Sequence, residues 1–385
     1  MKFGLLSTYP PTQCGLATFT YALGDALDSL AGCSVFVVRS VEAPTAMSGE
    51  KVVRHLVAGD RLSQRRAADA LNEADVAIVQ HEYGIYGGPD GDELLTVLKQ
   101  VDTPVIVVLH TVLARPTPRQ REVLESVCSS ADAVVVMSHA ARTRLAHAYR
   151  VDASKVSVIP HGVSPTIARH SGLPRRHRIL TWGLLGPGKG IEWGVEALAR
   201  LKDLDPDPEY LVAGETHPKV VESQGESYRE GLAELASDLG VRHLLRFDAA
   251  YRPTAALPSL IGSASVVLLP YDNDEQVTSG VLIEAVAAGR PVVATRFPHA
   301  VELLEGGAGI TVPHRDPEAM ADAIRRILTE PRRAAAMSGV GRVQAEQLVW
   351  PAVAKAYVSL GQRLHDASAA RTRALGAPDI SSGRR

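Results

Sequence analysis

The sequence predicts an α/β protein with two domains, each built on a parallel β-sheet that is covered by helices on both faces. At 385 residues the chain is longer than a single hydrophobic core usually supports. Short runs of Val, Ile and Leu alternate with longer amphipathic segments, which is the pattern of strands that crossover helices bury on both faces. The alternation stops at 161–178, where glycine, proline and basic residues predict a linker, and then restarts.

The elements follow in order along the chain. Strands of the first unit are predicted at 3–7, 34–40, 76–80, 105–110, 133–137 and 156–160, with helices at 16–30, 61–73, 91–100, 118–130 and 139–149. Strands of the second unit are predicted at 178–183, 209–214, 244–248, 265–270, 291–295 and 308–312, with helical structure from about Glu318. We expect an N-terminal domain at 1–168, a C-terminal domain at 169–345, a final helix at 346–366 and a disordered tail at 367–385.

Composition narrows the class of protein. A net charge of -2 argues against nucleic acid as the main partner. Three scattered cysteines, none in C-x-x-C spacing, indicate neither a disulfide framework nor a zinc site. The sequence shows neither a signal-peptide core nor an apolar run long enough for a membrane span, which predicts a cytoplasmic protein. The basic stretches 61–71 and 114–121 leave open a weak peripheral contact with the inner face of a membrane, although solvated helix faces explain them better.

The stretch TSGVLIEAVAAGRPVVAT, residues 278–295, predicts a helix that starts in a polar loop after a strand. Ser279 is a suitable N-cap, and Gly280 would let a ligand approach the backbone closely. The first amides of a helix have no internal partner and attract anions such as a diphosphate. Glu284 follows one turn later on the same face, where a carboxylate can accept hydrogen bonds from the hydroxyls of a ribose. A capped helix whose glutamate favours the dipole remains the alternative from these residues alone.

Residues 284–294, EAVAAGRPVVA, resemble the signature of the family 4 glycosyltransferases, which are retaining enzymes of GT-B architecture. The resemblance implies two Rossmann-like domains whose parallel sheets face an interdomain cleft, and a C-terminal helix that crosses back to the N-domain. It implies that Glu284 binds the nucleotide ribose. The backbone amides expected to hold the diphosphate are those of Ser279, Gly280, Val281 and Leu282.

The chain departs from the family pattern at the glutamate that lies seven intervening residues before Glu284. In the family this glutamate contacts the donor sugar, but the matching position here is Gln276, and Glu275 precedes it. Either Gln276 substitutes as an amide, or a shift of the loop brings in Glu275.

Three further positions resemble the donor-binding residues of the family. Lys189, in WGLLGPGKGIE at 182–192, is expected to neutralise the diphosphate, whereas Leu184 replaces the arginine of the family. His110 ends the strand at 105–110 and is expected to lie against the donor sugar in a positioning role. Gly15 lies in the first loop, before a helix whose N-terminus is expected to face the donor. The alternatives are a flexible turn at Lys189, a histidine that satisfies backbone groups at the sheet edge, and an ordinary turn at Gly15.

The loop HEYGIYGGPDGDELL, residues 81–95, is assigned to the acceptor because long glycine-rich loops after strands commonly form binding surfaces. Tyr83 and Tyr86 are expected to stack on a sugar ring, and Glu82 or Asp90 to bind hydroxyls. The segment 272–274 spells D-N-D, a metal motif of another glycosyltransferase fold. We expect neither a metal nor another cofactor, because Lys189 and helix amides can meet the charge of the leaving group.

The function that follows is transfer of a hexose, with retention, from a nucleotide-diphosphate sugar of the GDP-mannose or UDP-glucose type. The acceptor is expected to be a hydroxyl group of a carbohydrate, a lipid-linked molecule or a small molecule. The resemblance implies front-face attack, in which the departing phosphate oxygen takes the acceptor's proton and no protein base is needed. A nucleotide-sugar epimerase, a glycan phosphorylase, or a nucleotide-sugar-binding protein without catalysis are the alternatives.

Overall fold

The computed structural model describes residues 1–169, 174, 177–250 and 252–376, which form two compact units. The first unit comprises Met1–Pro160 together with the C-terminal segment from Trp350, and the second comprises His161–Val349. The second unit thus begins earlier than the expected domain boundary at 168/169. Its core contains Val163 and Ile167, because the chain after His161 already packs on helices of the second unit. The linker expected at 161–178 is therefore wrong in its first part, whereas residues 170–173, 175 and 176 lie outside the described residues.

The first unit contains a seven-stranded parallel sheet in the order β3-β2-β1-β4-β5-β6-β7. Its strands are β1 (Lys2–Ser7), β2 (Ser34–Val41), β3 (Val52–Val57), β4 (Val76–His81), β5 (Val105–Leu109), β6 (Ala133–Val136) and β7 (Val156–Val158). Its first helices are α1 (Gly15–Asp28), α2 (Arg61–Leu71), α3 (Leu94–Leu98), α4 (Pro118–Ser130) and α5 (His139–Ala148). The sequence predicted six of these strands and missed β3. This edge strand, VVRHLV, exposes Val53 and Arg54 and so lacks the continuous apolar run of a central strand.

The second unit contains a six-stranded parallel sheet in the order β10-β9-β8-β11-β12-β13. Its strands are β8 (Arg178–Trp182), β9 (Glu209–Ala213), β10 (Leu245–Asp248), β11 (Val266–Leu269), β12 (Val292–Thr295) and β13 (Gly309–Val312). Its helices are α6 (Pro165–Arg169), α7 (Ile191–Ala199), α8 (Pro218–Gln224), α9 (Ser227–Asp238), α10 (Leu257–Gly262), α11 (Gly280–Ala287), α12 (Pro298–Leu304), α13 (Pro317–Thr329) and α14 (Pro331–Leu348).

Each sheet has a switch point, where neighbouring strands continue toward opposite edges of the sheet. It lies between β1 and β4 in the first unit and between β8 and β11 in the second. In open parallel sheets, ligands bind beyond the carboxyl ends of the strands at such points. The loops that follow these four strands are therefore the ones in which chemistry is expected.

The C-terminal helix α15 (Trp350–Gly376) belongs to the first unit, where it packs against α1. Trp350 meets the ring of Phe19 edge-on at 5.1 Å, and Val353 and Tyr357 are buried in the same core. The prediction of a disordered tail from residue 367 is wrong as far as Gly376, where α15 ends. The alanine-rich run ASAARTRAL at 367–375 contains only residues that a helix accommodates. Residues 377–385 lie outside the described residues. In the part of the chain that the structure describes, no helix combines the length and the apolar character needed to cross a bilayer.

Replacing Trp350 by alanine should destabilise the first unit, because the indole ring is buried against Phe19 in its core. We expect the free energy of unfolding to fall by about 3–5 kcal/mol, the range for deletion of a large buried aromatic side chain. Chemical denaturation followed by circular dichroism measures the change. The control is Leu62→Ala, since Leu62 is 55% exposed on α2. A loss for Trp350→Ala no larger than for the control would show that α15 does not complete this core.

Candidate functional site

Helix α11 starts directly after the loop that follows β11. Ser279 is its N-cap, as the sequence predicted, and the Ser279 hydroxyl accepts a hydrogen bond from the Leu282 amide at 3.3 Å. The amide of Ser279 itself donates to Nδ1 of His299 at 2.8 Å. The expectation that all four amides hold a ligand is therefore wrong for Ser279 and Leu282. The amides of Gly280 and Val281 have no hydrogen-bond partner among the described residues.

Two histidines that the sequence pattern did not single out, the buried His299 and the partly buried His161, flank this tip. His299 is held through its own amide, which donates to the Gln276 carbonyl at 3.3 Å. The ring of His161 donates from Nδ1 to the Gly162 carbonyl, and its Nε2 would lie 3.3 Å from a Cβ added at Gly280. Burial lowers the pKa of each histidine to about 4, with the charge of His161 as a further cause for His299. The rings are therefore neutral at pH 7, and the positive potential at the tip comes from the helix amides.

Glu284 lies one turn into α11 and is partly buried. Its carboxylate accepts a hydrogen bond from Trp182 Nε1 at 3.3 Å, at the end of β8. Burial raises the pKa of Glu284 to about 7, and the hydrogen bond from Trp182 opposes this rise. The carboxylate is thus directed toward β8, and its environment leaves it short of hydrogen-bond donors. Ribose hydroxyls would supply such donors.

Lys189 lies in the loop that follows β8. Its Nζ lies 4.6 Å from the centre of the Tyr271 ring, which stacks on Phe297. Lys189 forms no ion pair with any residue that the structure describes. A Cβ on Gly190, whose φ is +63°, would lie 2.0 Å from the Pro270 carbonyl oxygen. Glycine is therefore required where the loop of Lys189 meets the loop that leads to α11.

The D-N-D segment has a structural use in this unit. Asp272 accepts a hydrogen bond from Trp193 Nε1 at 3.0 Å and pairs with Arg315 at 3.3 Å. Asn273 and Asp274 are exposed. Across the described ranges, His, Cys, Asp and Glu side chains form no group of three that could hold a metal ion.

The two residues considered for the donor sugar lie in the loop before α11. Gln276 folds its amide back onto the Thr278 carbonyl at 3.0 Å, and the amide of Glu275 donates to the Asn273 side chain at 2.9 Å. Both side chains are partly buried. These contacts keep the loop compact, and the choice between Gln276 and Glu275 as sugar ligand stays a prediction.

His110 follows β5 in the first unit. Its Nε2 lies 2.7 Å from Oε1 of Gln80 at the end of β4, and its ring meets Phe19 edge-on at 4.8 Å. An amide oxygen is only an acceptor, so Gln80 places a proton on Nε2 of His110. Gln80 was not anticipated, because the sequence pattern shows only another residue of a buried strand.

Gly15 is the exposed first residue of α1. A Cβ at this position would meet no atom within 4 Å, so packing alone does not require glycine.

The loop assigned to the acceptor, residues 81–95, is held mainly by contacts with Thr111 and Gln120, which lie outside it. Glu82 accepts hydrogen bonds from the Thr111 hydroxyl and the Tyr83 amide, and burial raises its pKa. Tyr83 and Asp90 both bond to Gln120, through its carbonyl and its side-chain amide respectively, at 3.4 Å. These three side chains are partly buried, and their role toward an acceptor stays a prediction.

Tyr86 is a correction, because its ring lies inside the first unit and is only 8% exposed. Its hydroxyl donates to the Gln80 carbonyl at 2.6 Å and lies 3.3 Å from the Leu6 carbonyl. A ring in this position cannot stack on a sugar. The Tyr86 hydroxyl instead connects the loop to β4 and β1. The sequence did not show whether this tyrosine would bind a ligand or pack in the core.

Models of two known protein families match this chain. The model described as Glycosyltransferase Family 4 matches residues 14–167, and that described as Glycosyl transferases group 1 matches residues 176–330. The chain is 28% identical over 363 residues to the GDP-mannose-dependent alpha-(1-6)-phosphatidylinositol monomannoside mannosyltransferase of Mycolicibacterium smegmatis, across 87% of this chain and 91% of that protein. It is 28% identical over 284 residues to the D-inositol 3-phosphate glycosyltransferase of Corynebacterium glutamicum, across 67% of this chain and 66% of that protein. The chain thus spans slightly less than two thirds of this second relative.

Solved structures share the fold. Sucrose-phosphate synthase from Thermosynechococcus elongatus matches with a TM-score of 0.74 at 20% identity, over 95% of this chain and 100% of that chain. Anabaena Alr3699/HepE in complex with UDP and glucose matches with a TM-score of 0.71 at 17% identity, over 94% and 99%. Together with the two parallel sheets, these likenesses show the GT-B fold.

Replacing Tyr86 by phenylalanine tests the corrected role of this residue. We expect the free energy of unfolding to fall by about 1–3 kcal/mol, because buried carbonyl groups would lose their donor. Tyr83→Phe is the matched control, since the Tyr83 ring is partly exposed and its hydroxyl donates to the Gln120 carbonyl at the long distance of 3.4 Å. Equal stabilities of wild type and Tyr86→Phe, measured by chemical denaturation, would contradict the buried role.

Proposed function

Because the chain belongs to the family 4 glycosyltransferases, we propose that it transfers a hexose from a nucleotide-diphosphate sugar to a hydroxyl acceptor with retention of configuration. The observation that carries this proposal is the pair of unpartnered amides at Gly280 and Val281, among the residues that the structure describes. A helix start of this kind binds phosphate groups through both its amides and its dipole. The donor is therefore assigned to the second unit and the acceptor to the first.

The donor is the better defined substrate. Glu284 is placed to accept hydrogen bonds from ribose hydroxyls, and Lys189 supplies the positive charge for the diphosphate. We propose GDP-mannose as the first donor to test and UDP-glucose as the second. The mannosyltransferase relative, which matches over 87% of this chain, is GDP-mannose-dependent by name, and the Anabaena structure contains UDP and glucose.

The chemistry asks the protein mainly to stabilise the leaving group. As the bond between the anomeric carbon and the phosphate oxygen breaks, negative charge grows on the diphosphate, and helix amides and Lys189 stabilise it. Leu184 supplies no charge at the position of the family arginine, so the amides of Gly280 and Val281 carry a larger share. In front-face attack the departing oxygen takes the proton of the acceptor hydroxyl. His110 then positions the donor sugar, and the mechanism requires neither a metal nor a protein base.

A donor screen tests the assignment. A nucleotide-sugar that binds the folded protein, at a free concentration of about 100 times its Kd, should raise the free energy of unfolding by about 2.7 kcal/mol. The donor that gives the largest shift is then incubated with a panel of polyol, sugar and lipid-linked acceptors, and both nucleotide release and glycosylated product are measured. Release of nucleotide diphosphate together with product supports transfer. Epimerised nucleotide-sugar without release would identify an epimerase, and binding without any turnover would indicate a binding protein.

Two variants locate the donor within the chain. Gly280→Val places a branched side chain beside the two amides, against His161, and Lys189→Gln removes the loop cation. We expect each to weaken nucleotide-sugar binding at least about tenfold, the scale of one or more charge-assisted hydrogen bonds. Calorimetry measures the affinities, with Lys219→Gln on the exposed surface of α8 as the matched control. Unchanged affinity in Gly280→Val would remove α11 from the donor site.

Glu284 gives the donor site a pH dependence. Ribose hydroxyls donate to the ionised carboxylate, so donor affinity should rise with pH through the Glu284 pKa of about 7 and then level off. The stability of the unliganded protein has the opposite pH dependence. A folded pKa above the ordinary value of 4.5 means that the stability contributed by the protonated form is lost as the pH rises through about 7. The affinity for one nucleoside diphosphate is measured at several pH values between about pH 6 and about pH 8, for wild type and for Glu284→Gln. The comparison distinguishes ionisation of Glu284 from ionisation of the ligand. An equally steep pH dependence in Glu284→Gln would contradict this role.

A cytoplasmic location, with weak peripheral contact at a membrane, is also proposed. The proposed membrane contact rests on the basic stretches 61–71 and 114–121 in the first unit. A vesicle-flotation assay with anionic and with neutral lipid tests the membrane contact.

A further inference from the structure

Four neighbouring strands of the first unit carry polar side chains in one row at their carboxyl ends. Arg39 of β2 is paired in register with Ser7 of β1 on one side and with His55 of β3 on the other. Leu6 is paired with Val79 of β4, so Gln80 follows at the position beside Ser7. Because paired residues of a parallel sheet point to the same face, His55, Arg39, Ser7 and Gln80 lie side by side.

Each residue of this row has one buried polar atom without a hydrogen-bond partner among the described residues. These atoms are His55 Nε2, Arg39 Nε, Ser7 Oγ and Gln80 Nε2. Ser7 and Gln80 are fully buried, and Arg39 is 7% exposed. Proteins pair nearly all of their buried polar groups, so four adjacent exceptions call for a partner that arrives from outside the chain.

Arg39 makes the row positively charged. Its two terminal nitrogens donate to the Ser48 hydroxyl at 3.0 Å and to the Thr12 hydroxyl at 2.9 Å, and both of these acceptors are neutral. No carboxylate of the described chain forms an ion pair with Arg39. The pKa of His55 is lowered by burial and then by this neighbouring charge.

Another buried arginine of the chain shows the usual arrangement. Arg178 of β8 is 6% exposed and pairs with Glu209 at 2.7 Å, while it also donates to the Ser263 hydroxyl. Burial of a guanidinium is unfavourable unless a counter-charge accompanies it. Arg39 is as buried as Arg178 but has no carboxylate partner among the described residues, which leaves its charge available to an anion from outside the chain.

We propose that this row, with Arg39 as its anchor, binds a phosphate monoester carried by the acceptor. Naming the ligand an acceptor rests on the proposed function. The guanidinium fork binds two phosphate oxygens in place of the Thr12 and Ser48 hydroxyls, and charge-assisted hydrogen bonds replace neutral ones. Ser7 and the Gln80 amide donate to the remaining oxygen. A group with three terminal oxygens uses these donors more fully than a carboxylate with two.

Gln80 connects this site to His110. The Gln80 side chain has one amide end in the row, while its oxygen lies 2.7 Å from Nε2 of His110. A phosphate at the row would fix the amide of Gln80 and with it the proton of His110. The acceptor would therefore be a phosphorylated polyol or sugar whose hydroxyl lies near His110 when its phosphate lies at Arg39.

Inorganic phosphate is the probe, because it needs neither donor nor turnover. Its Kd is measured by calorimetry for wild type, Arg39→Gln, Gly280→Val and the exposed control Arg54→Gln. We expect Arg39→Gln to weaken phosphate binding at least about tenfold, whereas Arg54→Gln leaves it unchanged and Gly280→Val retains the part that depends on Arg39. Absence of saturable binding in wild type, or equal binding in Arg39→Gln, would overturn the proposal. Binding lost in Gly280→Val alone would assign the phosphate to α11, with the same consequence.

Two further measurements keep the test independent of folding and of the proposed function. Ser7→Ala changes one small atom, so weaker phosphate binding with an unchanged unfolding midpoint supports the site, and unchanged binding contradicts it. Acetate should bind at least about tenfold more weakly than phosphate, and equal binding would overturn the choice of a phosphate. If the phosphate results hold and no acceptor is glycosylated, the anion site stands and the proposed function fails. If a sugar is transferred while Arg39→Gln binds phosphate like wild type, only the anion site fails.

Discussion

Two backbone amides at the start of α11, those of Gly280 and Val281, are the constraint around which the second unit is arranged. The neighbouring amides have hydrogen-bond acceptors. The Leu282 amide donates to the Ser279 hydroxyl, and the Ser279 amide donates to His299. Among the described residues, the unpaired backbone donors of this helix start are thus two adjacent amides. The glycine there leaves room for the His161 ring, which any larger residue would meet. The fold supports these amides rather than pairing them, and such an arrangement is explained by a ligand that brings its own acceptors.

The charges near this point are few. Burial keeps both histidines neutral, Leu184 contributes no charge, and Asp272 is neutralised by Arg315. The cation that remains in the loop after β8 is Lys189, held over the face of Tyr271 at 4.6 Å. An aromatic face steadies an ammonium group without neutralising it as a carboxylate would. The positive potential is therefore preserved for an anion, while the backbone dipoles supply the part that does not depend on protonation.

The sequence predicted what local pattern determines and missed what depends on tertiary contacts. Central strands were found because they are continuous apolar runs, whereas β3 was missed because half of an edge strand is polar. Ser279 as N-cap and Glu284 one turn into the helix were predicted correctly because this spacing is visible in the chain, whereas the role of Glu284 toward ribose stays a prediction. His161 and His299 are 138 positions apart in the sequence yet flank one helix tip, and no periodicity relates them. The prediction for Tyr86 was wrong for the same reason. The sequence of a loop does not show whether a tyrosine ring faces a ligand or the core.

Lys189 of the second unit and Arg39 of the first both lack a carboxylate partner among the described residues, but their surroundings differ in a way that suits different tasks. Lys189 is a partly exposed ammonium on a flexible stem in a glycine-bearing loop, which can follow a diphosphate whose charge grows as a bond breaks. Arg39 is buried, and two hydroxyls fix the orientation of its planar fork. A rigid fork is poorly suited to following a changing charge but well suited to selecting a ligand of fixed shape. In the proposed function, stabilisation of the leaving group and selection of the acceptor therefore belong to separate cations, so that a substitution at one leaves the other in place.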